Sequence, residues 1–128
     1  MHIESFLRQL FETDRPRFEV SRNQILTSIG DIEDRIFYIH EGAVCAFYLH
    51  DGQEQVIRLG YKGSVINALP SFYERTPSQL EIRAIRDSVC SSIDREAFIS
   101  IALDEAHIHS YMELLQQLIC QQMERELD

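Results

Sequence analysis

The chain has 128 residues with 12 basic and 21 acidic side chains, which gives a net charge of −9 at pH 7. This length supports one compact domain with a single core. The acidic excess argues against bulk attraction to DNA or anionic lipid, because a surface for polyanions would need a local basic patch. No apolar run approaches the roughly 20 residues that a membrane-spanning helix needs, so we expect a cytoplasmic chain without a membrane partner.

Apolar residues at helical spacing open the sequence and predict a short helix over residues 3–11, which ends before Pro16. Short segments rich in Ile, Val, Phe and Tyr follow, each bounded by a turn signal, and they predict strands of an antiparallel barrel, roll or sandwich. Asp51-Gly52 is the strongest hairpin signal, because both residues tolerate positive φ. The predicted strands are residues 17–20, 24–27, 35–40, 43–49, 54–59, 63–67, 80–85 and 89–93.

The last third of the sequence returns to helical spacing. Asp94 is a suitable N-cap for a helix over residues 95–103, and no Gly or Pro interrupts the pattern from residue 105 onward. That second segment has two adjacent apolar rows, so one row can cover the barrel while the other meets a second copy of the chain. The alternative is a wide apolar face that only caps the domain. The predicted dimer interface consists of Ile108, Tyr111, Met112, Leu115, Leu118 and Ile119.

Cysteine and histidine are the side chains of this sequence that could bind a metal or carry redox chemistry. Cys45, Cys90 and Cys120 are odd in number and far apart, which predicts reduced, buried thiols. His40 and His50 lie on neighbouring predicted strands, but the H-x-H pattern of metal-binding cupins is absent, and the other nearby pair, at 107 and 109, has the wrong spacing for joint coordination on a helix. We therefore predict no metal site and no catalytic residue. A cupin-like metal-dependent enzyme and a stand-alone small-molecule-binding protein remain the alternatives.

The segment FYIHEGAVCAFYLHDGQEQVIRLGYKGS, residues 37–64, resembles the core of the cyclic-nucleotide-binding domain of Crp/Fnr-type transcription regulators. It carries an F-Y-I-x-x-G turn at 37–42, a D-G-x-E hairpin at 51–54, and Gly63. The later segment EIRAIRDSVCSSIDREAF resembles the family's strand pair before its final helices. The resemblance implies a mainly β fold, an antiparallel β-roll or jelly roll with flanking helices and a long C-terminal dimerisation helix.

The resemblance also implies a function. It points to a ligand-sensing regulatory domain of a bacterial transcription regulator, not an enzyme, with the sensor over residues 1–104 and the dimerisation helix over residues 105–128. The expected partners are a second copy of the chain and a small-molecule effector of unknown identity. No helix-turn-helix precedes Asp128, so DNA is expected to bind only through a domain outside this sequence, and whether the sensor is truncated or stands alone stays open.

The irregular stretch SVINALPSFYERTPSQLEIRAI, residues 64–85 (the cassette segment), lies where the family has its phosphate-binding cassette. In the family a Glu accepts a hydrogen bond from the ribose, an Arg pairs with the cyclic phosphate, and backbone N–H groups complete an anion site. Here Ala68 replaces the Glu, Ser78 replaces the Arg, and Pro70 removes a backbone donor. We therefore expect cyclic nucleotides to bind weakly or not at all, and no other cofactor. The candidate pocket consists of Asn67, Ala68, Leu69, Ser71, Arg75, Ser78 and Gln79.

Arg75 is the one cation in the loop of the cassette segment between the predicted strands, and two hypotheses describe its role. It can swing toward an anion from the other side of the loop. Alternatively, Arg75 and Glu74 form a solvated turn while Phe72 or Tyr73 fills the pocket. We favour the second hypothesis, because charges in Pro-flanked loops are usually solvated.

Overall fold

The computed structural model describes residues 9–12 and 15–105. Residues 9–12 are helical, which is the described part of the first predicted helix. The six residues of the predicted dimer interface lie outside the described residues, as do Cys120, His107 and His109. No helix within the described part of the chain is long and apolar enough to cross a membrane.

Eight strands and two helices follow residues 9–12. Each predicted strand is present, with ends that differ from the prediction by at most two residues. The short helix α1 lies inside the cassette segment, with Pro70 in its first turn, where the missing N–H breaks no helical hydrogen bond. The elements are β1 Phe18–Val20, β2 Ile25–Thr27, β3 Arg35–Glu41, β4 Val44–His50, β5 Gln53–Gly60, β6 Val65–Ile66, α1 Leu69–Glu74, β7 Glu81–Ala84, β8 Ser88–Asp94 and α2 Arg95–Glu105.

The strands form two four-stranded antiparallel sheets, with orders β1-β8-β3-β6 and β2-β7-β4-β5. Only β4 and β5 are neighbours both in sequence and in a sheet. Their turn places Asp51 at φ 52° and Gly52 at φ 77°, as the hairpin signal predicted. All pairings within the sheets are antiparallel. The predicted mainly β, antiparallel roll is therefore confirmed.

The core has two parts, and β3 contributes to both. Phe37 and Ile39 belong to the cluster shared by strands of the two sheets, where they join residues such as Val44 and Ile82. Ile36 and Tyr38 alternate with them and face a second cluster. A strand between two apolar layers has no solvated face, which explains why β3 is buried over residues 36–40. The second cluster consists of Phe11, Ile36, Tyr38, Leu69, Phe72, Ile93 and Phe98.

The two described cysteines are free and buried, as predicted. Burial raises the pKa of the Cys90 thiol to about 11, and burial also raises the pKa of Cys45. Thiols in this state are poor nucleophiles, since the thiolate is the reactive form.

Candidate functional site

A cavity of about 360 Å³ lies beside the cassette segment, between α1, the loop that follows it, and β5. Its volume falls within the range of small-molecule sites, roughly 300–1,000 Å³. Four of the seven predicted pocket residues line it: Ala68, Ser71, Ser78 and Gln79. The remaining lining residues are Ile57, Pro70, Glu74, Thr76, Pro77 and Leu80.

The other three predicted pocket residues lie elsewhere. Leu69 is buried in the second core cluster, and Asn67 is buried next to Ala68 without lining the cavity. Arg75 follows α1 in the left-handed conformation, at φ 60°. Its Nη1 donates to the carbonyl oxygen of Glu33 at 3.1 Å, so its side chain ties α1 to the loop between β2 and β3.

The prediction that an aromatic side chain fills the pocket is wrong. Phe72 is buried in the second core cluster, where its ring packs edge-on against Phe98 at a centroid distance of 6.3 Å. Tyr73 is 46% exposed. Neither lines the cavity. The apolar core below α1 attracts Phe72, because burying its ring removes a large apolar surface from water.

Ser78, which the sequence resemblance aligns with the family's arginine, has its hydroxyl hydrogen-bonded within its own turn. The hydroxyl donates to the carbonyl of Leu80 at 2.8 Å and accepts from the Leu80 N–H at 3.0 Å. The backbone of Ser78 is bound as well, because its carbonyl accepts from Gly30 at 2.8 Å and its N–H donates to Asp31 at 2.7 Å. The loop after α1 is therefore fastened to the loop between β2 and β3.

Glu33 supports the cassette segment from that same loop, although it is only 3% exposed. Its Oε2 accepts from the hydroxyl of Thr27 at 2.6 Å and from the N–H of Ala68 at 3.3 Å, while Oε1 accepts from the N–H of Arg35 at 3.2 Å. The N–H of Glu33 donates to the hydroxyl of Ser71 at 2.8 Å. One acidic residue thus joins β2, β3 and α1.

Burial raises the pKa of Glu33, because a low-dielectric environment disfavours the charged form, while its hydrogen bonds with Thr27, Ala68 and Arg35 and the charge of Arg35 act in the opposite direction. Glu33 was not among the predicted site residues. An acid two places after Asp31 in a turn-rich loop is typical of a solvated surface. Its partners are 35 and 38 residues away along the chain at Ala68 and Ser71, so no local pattern signals its burial.

Uncharged residues dominate the walls of the cavity. Glu74 is its only charged residue among the described lining residues, and none of them is Lys or Arg. Arg58 is buried in β5, next to the lining residue Ile57, but does not itself line the cavity. The arrangement offers hydrophobic contact and a few polar groups, without a guanidinium for a phosphate.

The family described as cyclic nucleotide-binding domain matches residues 17–105. The chain belongs to this family. The predicted resemblance is thereby confirmed. No curated protein sequence matches the chain.

Solved structures show how widely this domain's fold is shared. The Thermus thermophilus catabolite activator protein has 18% identity and a TM-score of 0.69, over 97% of this chain and 54% of that one. The c-di-GMP-responsive global regulator CLP of Xanthomonas campestris has 13% identity and a TM-score of 0.74, over 98% and 61%. The regulatory domain of Toxoplasma gondii PKA, crystallised with cAMP, has 20% identity and a TM-score of 0.65, over 81% and 44%. The chain thus spans less than two thirds of each protein, and the likeness shows the fold alone.

The two described histidines of this cyclic nucleotide-binding domain have separate partners. His40 is buried, with Nε2 2.8 Å from the hydroxyl oxygen of Ser91 and its ring edge-on to Tyr38 at 4.8 Å. His50 is exposed and lies 3.5 Å from a carboxylate oxygen of Asp51. Within residues 9–12 and 15–105, no group of three or more His, Cys, Asp or Glu side chains is placed to hold a metal ion.

Proposed function

We propose that the chain is the effector-sensing domain of a Crp/Fnr-like transcription regulator and that its effector is not cyclic AMP. The observation that carries this proposal is a cavity at the cassette segment that is lined by Ala68 and Ser78, the residues that the sequence resemblance aligns with the family's Glu and Arg. Membership of the family supports the regulatory part. One structural neighbour is a c-di-GMP-responsive regulator and another was crystallised with cAMP, which supports a fold able to serve different effectors.

The proposed mechanism is regulatory and requires no catalysis. An effector in the cavity would contact α1 and the loop before β7, and both are hydrogen-bonded to the loop between β2 and β3. The proposed partners are a second copy of the chain, through residues 105–128, and DNA through a domain outside this sequence. We place this activity in the cytoplasm, where transcription regulators act.

Isothermal titration calorimetry with cyclic AMP and cyclic GMP tests the choice of effector. Two absent charge-assisted contacts, each worth about 1.5–3 kcal/mol, weaken binding by about two to four orders of magnitude. We expect no binding by the wild type at micromolar concentrations, and a gain for the double variant Ala68→Glu/Ser78→Arg. A wild-type Kd below about 10 μM would contradict the proposal, since binding of that strength requires contacts that the cavity does not display.

A further inference from the structure

We propose that Glu33 is a specificity-determining residue of the cavity: its buried carboxylate excludes anionic effectors and reserves the site for uncharged or cationic ones. This inference rests on the proposed function, in which the cavity is the effector site. Glu33 does not line the cavity, but it accepts a hydrogen bond from Ala68, which does, and its carboxylate therefore lies directly behind the cavity wall.

A backbone N–H of the cavity wall, that of Ala68, is already hydrogen-bonded to Glu33. In an anion site at the start of a helix, free N–H groups point at the ligand. The N–H of Ala68, directly before α1, donates instead to Oε2 of Glu33 at 3.3 Å. The hydrogen bond uses a donor from the cavity wall and fixes a carboxylate behind that wall.

Glu33 also brings a negative charge close to the cavity wall. The oxygens of Glu33 accept from Thr27, Arg35 and Ala68, a set of donors that suits an ionised carboxylate. A buried charge is poorly screened by solvent, so it repels an anion at the cavity more strongly than a surface charge would. Glu74, which lines the cavity, adds a second negative group.

The two arginines beside Glu33 have partners outside the cavity. The Nη2 of Arg35 donates to the carbonyl of Leu26 at 2.8 Å, and its guanidinium lies 4.7 Å from the centroid of the Phe37 ring. Arg75 donates to the carbonyl of Glu33. The charge of Arg35 partly offsets that of Glu33, but no guanidinium is among the described lining residues, where it would attract an anion.

The ligand class follows from these walls. Ile57, Pro70 and Leu80 supply apolar surface, and Thr76 and Gln79 supply uncharged polar groups. The hydroxyls of the two lining serines are already hydrogen-bonded within the protein. The cavity therefore suits a compact molecule with an apolar body and a neutral or positively charged polar group.

The test introduces the missing cation and then removes Glu33. The full chain carrying Ser78→Arg is titrated with cyclic AMP by calorimetry at pH 8, beside Ser78→Arg/Glu33→Gln. We expect the double variant to bind at least about tenfold more tightly, because two like charges closer than about 12 Å repel by about 1.4 kcal/mol or more at an effective dielectric constant near 20. The matched control is Ser78→Arg/Glu81→Gln, which removes an acid of β7 whose charge is already offset by its ion pair with Arg83 at 3.4 Å, so the affinity should stay unchanged.

Circular dichroism melting shows which variants fold. If Ser78→Arg/Glu33→Gln does not fold, Ser78→Arg/Glu33→Leu replaces it in the titration. A folded double variant that binds no more tightly than Ser78→Arg would overturn the inference, as would an equal gain in the Glu81 control. These outcomes leave the proposed function intact. Tight cyclic AMP binding by the wild type would instead overturn the proposed function itself.

Discussion

The strands of the roll and the part of the cassette segment between β6 and β7 are held in place by different kinds of interaction. The strands are paired in two antiparallel sheets around apolar clusters, so many weak contacts together stabilise them. Apart from Leu69 and Phe72, the part of the cassette segment between β6 and β7, residues 67–80, is held mostly by a small number of hydrogen bonds to the loop between β2 and β3, around Glu33 and Ser78. An apolar core tolerates sequence change if volume is kept, whereas a buried polar network depends on every member.

The largest expected effect is in the roll. Phe37 is fully buried, and Phe37→Ala should lower the free energy of unfolding by about 3–5 kcal/mol, through lost burial and the cavity left behind. Urea denaturation followed by circular dichroism measures this loss. The control is Leu49→Ala in β4, because Leu49 is 54% exposed and its loss should cost less than about 0.5 kcal/mol. Equal losses for the two variants would contradict the assignment of the core.

The strands were predictable because their signal is local. Enrichment in Ile, Val, Phe and Tyr, together with turn residues such as Asp51-Gly52, indicates where a strand begins and ends, and β3 was found in this way even without a polar face. That Ala68 and Ser78 replace the family's Glu and Arg stays a prediction from register with the family. The hydrogen bonds that hold the cassette segment could not be predicted, since Glu33, Ser71 and Ser78 meet only after the chain has folded. Phe72 was misplaced for the same reason: the apolar layer below α1 is built from β3, β8, α2 and residues 9–12.

A smaller loss is expected from the cassette segment. The hydroxyl of Ser71 accepts from the N–H of Glu33 and donates to the carbonyl of Thr76 at 2.6 Å. Ser71→Ala leaves the Glu33 N–H buried without this acceptor, which should cost about 1–3 kcal/mol. We also expect faster hydrogen exchange at the Glu33 amide, because the contact between loop and helix opens more often.

Ser78→Ala is the matched control for that experiment. Its hydroxyl bonds only to Leu80, whose partial exposure lets water replace the lost partner. We expect a loss below about 1 kcal/mol and unchanged exchange at Glu33. If Ser78→Ala raised that exchange rate as much as Ser71→Ala, the network would not be centred on Glu33.

The smallest expected effect is a pH dependence with opposite signs in the two regions. Burial lowers the pKa of His40 in the roll, and Arg17 acts in the same direction, against Glu12 and Glu41. The folded state therefore binds the His40 proton less readily than the unfolded state, whose pKa is near 6.5. The stability that neutral His40 contributes is complete above that value and is lost as pH falls from it toward the lower folded pKa.

Glu33 should behave in the opposite way. Its pKa is raised above 4.5, so the folded state holds the Glu33 proton more readily, and the group stabilises the fold as pH falls through its folded pKa toward 4.5. Unfolding free energies between pH 8 and 5 should thus fall for the wild type relative to His40→Gln, and rise relative to Glu33→Gln. Each change approaches about 1.4 kcal/mol for every unit by which the folded and unfolded pKa values differ, and it is complete only where the pH range includes both values. If the difference in unfolding free energy between the wild type and either variant did not change with pH, the replaced residue would have the same pKa in the folded and unfolded chain. If both differences changed in the same direction, the two regions would not differ in how their buried groups respond to charge.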